Sequence, residues 1–244
     1  VLVDDDWRAE WIATPLQGSK DVSSSVPALR REFLLPDPHP DPDPDVGKTD
    51  GDAAGNQIVS ARLYITALGL YRAMLNGERV GFDELTPGWT DYSKRLNYQI
   101  YDVRESLRAG KNTLGVLLGE GWYCGGIGLA GRQCYGDRPA LLAQLEVRYA
   151  DGRCERIVTD SEWRWHASEI VSSDLLDGES VDGRQRLGEW SGPDFPAAQW
   201  RPVEVLRLQT PKLTSSHAPP LQVVRELNPV AEPVRRRSGL DRER

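Results

Sequence analysis

The sequence predicts an all-β domain, a jelly-roll β-sandwich with short additional strands and a disordered insertion rich in proline and aspartate. Three observations predict this fold. Runs of strand-forming residues recur at intervals of about ten residues and are separated by turn signals. No long apolar stripe with helical spacing interrupts them. Hydrophobic residues make up 39% of the 244 residues and include eight Trp and eight Tyr, which is enough for a sizeable core.

Alternation of apolar and polar residues identifies the individual strands. The predicted strands are Trp7–Ile12, Leu29–Leu35, Val59–Thr66, Leu70–Leu75, Tyr98–Val103, Asn112–Leu118, Leu141–Tyr149, Cys154–Thr159 and Trp163–Trp165. Asn76-Gly77 predicts a type I′ hairpin that returns through Glu78–Gly81, because both turn residues accept positive φ. Tight turns such as this one, combined with long crossovers, favour the jelly roll among the sandwich folds.

The chain is expected to divide into four parts. Residues 1–35 form lead-in strands, 36–57 a Pro/Asp-rich loop, 58–205 the β-sandwich, and 206–244 a linker toward a missing domain. Proline removes backbone donors and neighbouring aspartates repel each other, so the loop should be a solvated insertion. Beyond Trp200 the pattern weakens to one further strand within Leu213–Pro229. The start at Val1 and the weak end suggest a fragment of a larger protein.

Charge and composition disfavour several classes of function. The formal net charge is −7, so the domain gains little from binding DNA or RNA, and a nucleic-acid partner is not expected. No apolar run approaches the roughly 18–20 residues that span a bilayer, so no membrane partner is expected either. The first residues lack the basic and apolar regions of a signal peptide. The compartment is not predicted.

Three cysteines occur, Cys124, Cys134 and Cys154. An odd number cannot form a closed disulfide framework, and their spacing fits no zinc motif. We therefore expect free thiols, with a Cys124–Cys134 bridge across a loop as the alternative.

The segment Asp83–Asp102 is the densest in functional side chains. It combines two adjacent carboxylates with Trp89, Arg95 and three Tyr. Sugar-binding sites use this set, since aromatic faces cover C–H surfaces while carboxylates, amides and guanidinium groups pair with hydroxyls. The alternative is structural: Trp89 fills the core, Arg95 pairs with Asp91, and the tyrosines Tyr98 and Tyr101 cap strand ends.

A glycine-rich segment, Gly119–Gly131, contains six glycines and lies between two strands. A phosphate-binding loop needs a helix N-terminus after the glycines and usually a Lys, and neither is expected here. We predict a flexible loop that presents Trp122 and Tyr123.

A third segment, Leu176–Arg184, brings Asp177, Glu179 and Asp182 close together in sequence. Paired carboxylates can act as general acid and base, but a glycosidase needs them to face each other across a cleft. Neighbours on one loop rarely do so, and a solvated turn or a loop paired to Arg184 is favoured. The three histidines accompany no nucleophile elbow, so Ser-His-Asp catalysis is not supported.

A series of motifs in fixed order runs through the predicted sandwich. Together they resemble the N-terminal domain of bacterial-type α-L-rhamnosidases of glycoside hydrolase family 78, over about residues 58–200. The motifs are Ala61–Tyr71, Asn76-Gly77, Thr86–Tyr92, Lys94-Arg95, Tyr98-Gln99, Tyr101–Val103, Gly110–Gly115, Gly119–Tyr123, Asp137–Leu141, Asp160–Trp163, and Gly178-Glu179 with Asp182 and Arg184. Trp11-Ile12 and Leu29–Leu35 look like the lead-in of the same enzymes.

The resemblance implies a jelly-roll domain that is attached to a separate (α/α)6 catalytic barrel in the parent chain. The family's acidic catalytic residues lie in that barrel, so the resemblance places no catalytic residue in this sequence. The expected partner within the parent protein is the barrel itself.

Some relatives of this domain are carbohydrate-binding modules of family 67, which bind terminal L-rhamnose through a calcium ion. The resemblance implies that Asp83, Glu84 and the carbonyl of Pro139 hold the ion here, with Glu84 in place of an Asn. Calcium accepts carboxylates at about 2.3–2.6 Å, although this exchange alters charge and side-chain length. The residues expected to contact L-rhamnose, or the end of a rhamnosylated glycan, are Trp89, Tyr92, Arg95 and Trp122.

Three functional hypotheses follow. In the first, the domain is a calcium-assisted rhamnose-binding module. In the second, it is structural and packs on the barrel through Trp122 and Tyr123, so these two side chains should be exposed in the isolated domain. In the third, it holds a complete rhamnosidase active site. Calorimetry, the stability of the barrel and cleavage of an aryl α-L-rhamnoside distinguish them. We expect no cleavage by these 244 residues, and we favour the binding module.

Overall fold

The computed structural model describes residues 1–37 and 55–231. Within these ranges the chain forms seventeen strands, one short α-helix, α1 (Gly121–Cys124), and four single-turn 3-10 helices at Asp4–Asp6, Arg104–Ser106, Gly128–Ala130 and Gly183–Gln185. No helix in these ranges is long and apolar enough to span a membrane.

Two large sheets form a sandwich. The seven-stranded sheet contains, in spatial order, β15 (Glu204–Leu206), β1 (Trp11–Ala13), β9 (Ala140–Tyr149), β3 (Ile58–Leu68), β7 (Arg95–Asp102) and β16 (Lys212–Ser215), with β10 (Cys154–Val158) also paired to β9. The six-stranded sheet contains β14 (Arg201–Pro202), β11 (Arg164–Ala167), β2 (Pro27–Leu35), β8 (Gly110–Gly119), β4 (Leu70–Leu75) and β5 (Glu78–Arg79). All pairs in these sheets are antiparallel except β16 with β7.

Two small sheets lie outside the sandwich. One pairs β12 (Ile170–Asp174) with β13 (Gly178–Val181), and the other pairs β6 (Asp83–Glu84) with β17 (Leu221–Gln222). The second of these sheets joins residues that are more than a hundred positions apart, because Leu221 is opposite Glu84 and Gln222 is opposite Asp83.

The main core lies between the two large sheets. Every second residue of the central strands points inward, as the two-residue period of a strand requires. The fully buried members include Ile12, Leu29, Leu63, Ile65, Leu114, Val116, Leu118, Leu141, Leu145, Val147 and Trp163. Each aliphatic side chain that is buried in this way contributes about 1.5–3 kcal/mol, so the core accounts for the stability of the sandwich.

The opposite face of the seven-stranded sheet carries a second cluster, which positions the functional site. Its buried members are Trp11, Ala13, Leu68, Tyr92, Leu96, Ala140 and Leu142. Trp122 and Tyr123 of α1 pack against it. The glycine-rich segment and the loop before β7 are therefore both anchored on this outer face.

The predicted fold class is confirmed, and each of the nine predicted strands overlaps an observed one. The Asn76-Gly77 hairpin is also confirmed, with φ of 54° and 90° at the two residues. Residues 38–54, the central part of the predicted Pro/Asp-rich insertion, lie outside the described residues.

Both ends of the chain contribute strands to the sheets. β1 lies between β15 and β9, and β2 between β11 and β8, so the lead-in strands are integral to the two sheets. Residues 206–244 were expected to be a linker with one further strand within Leu213–Pro229; two short strands, β16 and β17, lie in this segment and pair with β7 and β6. β16 packs here because Leu213 covers apolar residues of the outer face that would otherwise be exposed.

The glycine-rich segment also differs from the flexible loop that the sequence predicted. It contains α1, and Glu120 and Cys124 at either end of that helix are 2% and 0% exposed. This helical turn lies within the glycine-rich segment, and a single turn is too short to form a phosphate-binding N-terminus.

Candidate functional site

A groove of about 440 Å³ lies beside β7 of the seven-stranded sheet. We call it the tryptophan groove. One wall is β6 with the loop that follows it, the floor is the middle of β7, and the other wall is the segment 216–221. The side chains that give it its character are Asp83, Glu84, Trp89, Asn97, Gln99 and Trp122.

Trp89 and Trp122 form a stacked pair at this groove. Their ring centroids are 6.1 Å apart and their planes differ by 5°. A sugar ring between them would need a van der Waals contact on each side, about 7 Å in all, and does not fit. Trp89 is nevertheless 53% exposed, which is unusual for so large an aromatic side chain. The face of Trp89 that points away from Trp122 is therefore the surface on which a ligand can stack.

The loop Leu85–Thr90 holds Trp89 in place through hydrogen bonds to neighbouring strands. The Thr86 hydroxyl donates to the Tyr71 carbonyl (3.0 Å), and the Gln99 side-chain amide donates to the Pro87 carbonyl (3.2 Å). Gly88 has φ of 93°, a conformation that side chains with a Cβ rarely adopt. The Pro-Gly-Trp motif is thus a turn that is fixed to β4 and β7 and projects its tryptophan outward.

Asp83 belongs to a hydrogen-bonded chain beside the groove floor. Its carboxylate accepts from the Tyr101 hydroxyl (3.2 Å) and from the Gln222 side-chain amide (3.3 Å). The Tyr71 hydroxyl, 3.4 Å from that of Tyr101, donates to Gln99 (2.8 Å). Burial, together with the charge of Asp83, raises the pKa of Tyr101 to about 12. The Tyr101 hydroxyl is therefore a permanent donor that orients Asp83.

Glu84 is engaged by two arginines. Arg79 Nη1 lies 2.7 Å from Glu84 Oε1, and Arg72 Nη2 lies 3.4 Å from Oε2. The hydrogen bond from Arg79, with the charges of both arginines, holds the pKa of Glu84 below its usual range despite the opposing effect of burial. Arg79 also donates to the Asp83 carbonyl (2.7 Å), so it ties the backbone of β6 to the Glu84 carboxylate.

The predicted calcium ligands are only partly brought together. Asp83 and Glu84 are consecutive strand residues with different partners, as expected for side chains that point to opposite sides of a strand. Pro139 is buried beside Gly69, at the bend between β3 and β4, and is not part of the lining of the tryptophan groove. Among the described residues, no three His, Cys, Asp or Glu side chains are grouped to hold a metal. A calcium ion at Glu84 would have to displace its arginines, so calcium binding stays a prediction.

The other predicted sugar contacts fall into two groups. Trp89 and Trp122 line the groove, whereas Tyr92 is buried and packs against Tyr123 and Tyr135, with centroids 5.2 and 5.0 Å away. Arg95 is exposed at the start of β7 and does not line the groove. The alternative role of Trp89 as a core residue is wrong.

The other structural alternatives have different outcomes. The alternative paired Asp91 with Arg95, but the partners of Asp91 in the structure are Ser93 and Lys94. Tyr98 is fully buried, and its hydroxyl donates to the Leu2 carbonyl (2.9 Å). Neither arrangement contributes a side-chain head group to the tryptophan groove.

Two parts of the groove were missed by the sequence analysis. Asn97 lies in β7 between the buried Leu96 and Tyr98, and this polar position among apolar ones is the signal that could have identified it; Gln99 is itself buried and gives no such signal. The wall 216–221 gives no such signal, because Ala218, Pro219 and Pro220 read as an ordinary loop. Its position depends on the pairing of β17 with β6, which is a contact distant in sequence.

The remaining candidate groups lie away from the groove. In the acidic segment Asp182 pairs with Arg184 (2.8 Å), and β13 is exposed along its length, as a solvated hairpin requires. The bond from Arg184 lowers the pKa of Asp182 to about 2, which is the opposite of what a general acid needs. All three cysteines are free thiols, and burial raises the pKa of Cys124.

Known proteins match this chain along most of its length. The model of the α-L-rhamnosidase N-terminal domain family matches residues 56–225. An α-L-rhamnosidase of Streptomyces avermitilis is 43% identical over 220 residues, which cover 90% of this chain and 20% of that protein. The chain thus spans about a fifth of the length of this curated relative.

Solved structures give the same result. A crystal structure of the Streptomyces avermitilis α-L-rhamnosidase complexed with L-rhamnose has a TM-score of 0.73 at 43% identity and covers 83% of this chain and 18% of that one. The native α-L-rhamnosidase of Aspergillus terreus has a TM-score of 0.79 at 38% identity and covers 91% of this chain and 24% of that one. The resemblance inferred from the motifs is confirmed, and the chain belongs to the family of α-L-rhamnosidase N-terminal domains.

Proposed function

We propose that this domain is a non-catalytic accessory domain of an α-L-rhamnosidase and that it binds terminal L-rhamnose in the tryptophan groove. The observation that carries the proposal is the exposed Trp89, which is backed by Trp122 and fixed at the rim of a groove large enough for one sugar ring. A soluble domain that leaves an indole exposed in this way usually uses it for contact.

The lining of the groove fits the chemistry of L-rhamnose, a sugar with hydroxyls on one part of the ring and a methyl group at C5. Asp83 and Asn97 offer polar groups for the hydroxyls. Pro219, Pro220 and Leu221 on the facing wall offer an apolar surface for the methyl group. The site should therefore favour L-rhamnose over L-mannose, which has a hydroxymethyl group in place of this methyl group.

Calorimetry with L-rhamnose tests the proposal. We expect saturable heat for the 244-residue chain, weaker binding of L-mannose, and an affinity loss of about tenfold or more for Trp89→Ala, because the variant lacks the stacking face. Phe82→Ala is the matched control, since Phe82 is 80% exposed but does not line the groove. The absence of heat from the wild-type chain at millimolar L-rhamnose, with and without calcium, would sink the proposal.

The same titration tests the calcium prediction. If Asp83, Glu84 and the Pro139 carbonyl hold calcium that contacts the sugar, a chelator should abolish the heat and added calcium should restore it. Binding that is unchanged by the chelator would remove calcium from the proposal and leave the stacking site intact.

A second candidate function is structural, and one observation favours it. A run of apolar side chains after β17 is exposed, with Val224 at 95% and Leu227 at 75%. Surfaces of this kind are covered in a larger assembly, and the proposed occupant is the catalytic barrel of the parent protein. Trp122 and Tyr123 do not belong to this surface, because both pack within the domain. In a parent protein with the barrel, Val224→Asp with Leu227→Asp should lower the barrel's melting temperature.

The hydrolytic step is proposed to belong to the parent protein outside these residues. In the acidic segment, Asp182 is paired to Arg184 and does not line the tryptophan groove. The purified 244-residue chain should therefore leave an aryl α-L-rhamnoside intact. Measurable release of the aryl group would show that a complete active site lies within it.

A further inference from the structure

The helix that carries Trp122 is too short to hold its own shape. α1 has four residues and two internal hydrogen bonds, from the Cys124 N–H to the Glu120 carbonyl (3.2 Å) and from the Gly125 N–H to the Gly121 carbonyl (2.9 Å). An isolated single turn is unstable in water, since helix nucleation is unfavourable. Its conformation must therefore be imposed by contacts at its ends.

The first contact is at the start of the helix. Glu120 immediately precedes α1, and its carboxylate is 2% exposed. One oxygen accepts the Ser24 N–H (3.1 Å), and the other bonds to the Arg132 guanidinium. A buried carboxylate is tolerated only when its oxygens are satisfied in this way, so the start of α1 is fixed to both partners.

The second contact is at the end of the helix. The Gly126 N–H donates to Asp174 Oδ2 (2.8 Å), and Asp174 is 1% exposed at the end of β12. There is no room for a side chain here: a Cβ at Gly125 would lie 2.3 Å from the Gly121 carbonyl oxygen and 3.1 Å from Asp174. The glycines of this segment thus allow the chain to approach the buried carboxylate.

Both contacts meet at one side chain. The Arg132 guanidinium bonds to Glu120 through Nη2 and to Asp174 through Nη1, and its Nε donates to the Ser19 carbonyl (3.1 Å). Arg132 is itself 8% exposed. Burial raises the pKa of Asp174, but backbone N–H bonds from Gly126, Leu176 and Asp177, with the charge of Arg132, hold it below its usual range. Asp174 is therefore charged at neutral pH.

We infer that Arg132 is a positioning residue for ligand binding: by bridging Glu120 and Asp174 it sets α1, and so places Trp122 behind Trp89 in the tryptophan groove. This inference rests on the proposed function, because it deepens the account of the same site. Arg132 lies outside the groove lining and acts only through the helix. The guanidinium fork suits this role, since one planar group can hold two carboxylates at fixed angles.

Fluorine NMR of the 244-residue chain with 5-fluorotryptophan tests the inference. Each of the eight Trp contributes a resonance, and Trp122→Phe assigns the one that matters. In Arg132→Met we expect the Trp122 resonance to shift and broaden while those of buried core residues such as Trp163 stay in place. L-rhamnose affinity should fall by about tenfold, because the backing of the stacking surface is lost.

Arg156→Met is the matched control. Arg156 also pairs with a buried carboxylate, that of Glu146 (2.9 Å), but in β10 and away from the groove, so the Trp122 resonance and the affinity should stay within twofold of wild type. If Arg132→Met fails to fold, Arg132→Lys tests the inference in its place. This variant keeps the charge but cannot bridge both carboxylates, so the Trp122 resonance should shift, by less than is expected for Arg132→Met.

An unchanged Trp122 resonance in folded Arg132→Met, or an equal change in the Arg156 control, overturns the inference. The fluorine spectrum needs no ligand. If wild-type chain fails to bind L-rhamnose, the proposed function is lost, and the spectrum still decides whether Arg132 positions Trp122.

Discussion

Trp89 and Tyr92 are three residues apart in one motif, yet one is 53% exposed and the other 3%. Their residue types do not predict this difference in exposure, because both are aromatic residues in a segment rich in carboxylates. Their difference comes from the turn at Gly88, which aims Trp89 outward, and from the aromatic packing of Tyr123 on Tyr92. The sequence could therefore identify the segment but not decide which of its aromatic side chains faces a ligand.

The ion pair between Arg79 and Glu84 leads to a prediction at the same scale. Arg79→Leu should raise the pKa of Glu84 toward its ordinary value, because the largest cause of its lowering is removed. In the wild-type chain this interaction stabilises the fold above the unfolded pKa of Glu84, and the stabilisation is lost as the pH falls through the lower folded value. A carbon-detected NMR titration of the Glu84 carboxyl measures the shift. Arg104→Leu, whose partner is Glu105, is the control, and an unchanged Glu84 pKa in Arg79→Leu contradicts the assignment.

At the scale of single elements, long strands were predictable and very short ones were not. β8 and β9 each have ten residues and a continuous pattern, so their periodicity identifies them. β6, β14 and β17 have two residues each, and no pattern exists over such a length. They form because a partner strand lies beside them. β6 belongs to one wall of the site and β17 begins at the end of the other, so both walls depend on a tertiary contact that the sequence does not display.

The β4–β5 hairpin leads to a prediction about stability. Gly77 has φ of 90°, and Gly77→Ala should destabilise the domain by roughly 1–2 kcal/mol, because a Cβ disfavours that conformation. For a domain of this size the melting temperature should fall by about 2–8 °C. Gly183→Ala is the control, since its φ lies outside the positive region and no atom lies within 4 Å of the added Cβ. Equal melting temperatures for the two variants, measured by circular dichroism, would show that the turn is not of type I′.

At the scale of the whole molecule, the last part of the chain completes the domain. β16 extends the seven-stranded sheet, the segment 216–221 forms a wall of the tryptophan groove, and β17 pairs with β6. A linker was expected here because proline and polar residues interrupt the apolar pattern. The pairing is possible because Leu213 finds apolar cover on the outer face of the sheet, which is a property of the folded sandwich.

A truncation follows from this arrangement. A chain that ends after Pro211 lacks both strands and should bind L-rhamnose at least about tenfold more weakly, because the groove loses one wall. A chain that ends after Arg225 keeps both strands and should bind like the 244-residue chain. Calorimetry compares the two, and equal affinities would mean that residues 212–222 are a linker after all.

The central claim is that L-rhamnose stacks on the exposed face of Trp89. A crystal structure of this chain grown at saturating L-rhamnose tests it most directly. We predict sugar density over Trp89, with hydroxyls near Asp83 or Asn97 and the methyl group toward Pro219 and Pro220. An empty tryptophan groove under those conditions, or L-rhamnose bound at another surface, would contradict it.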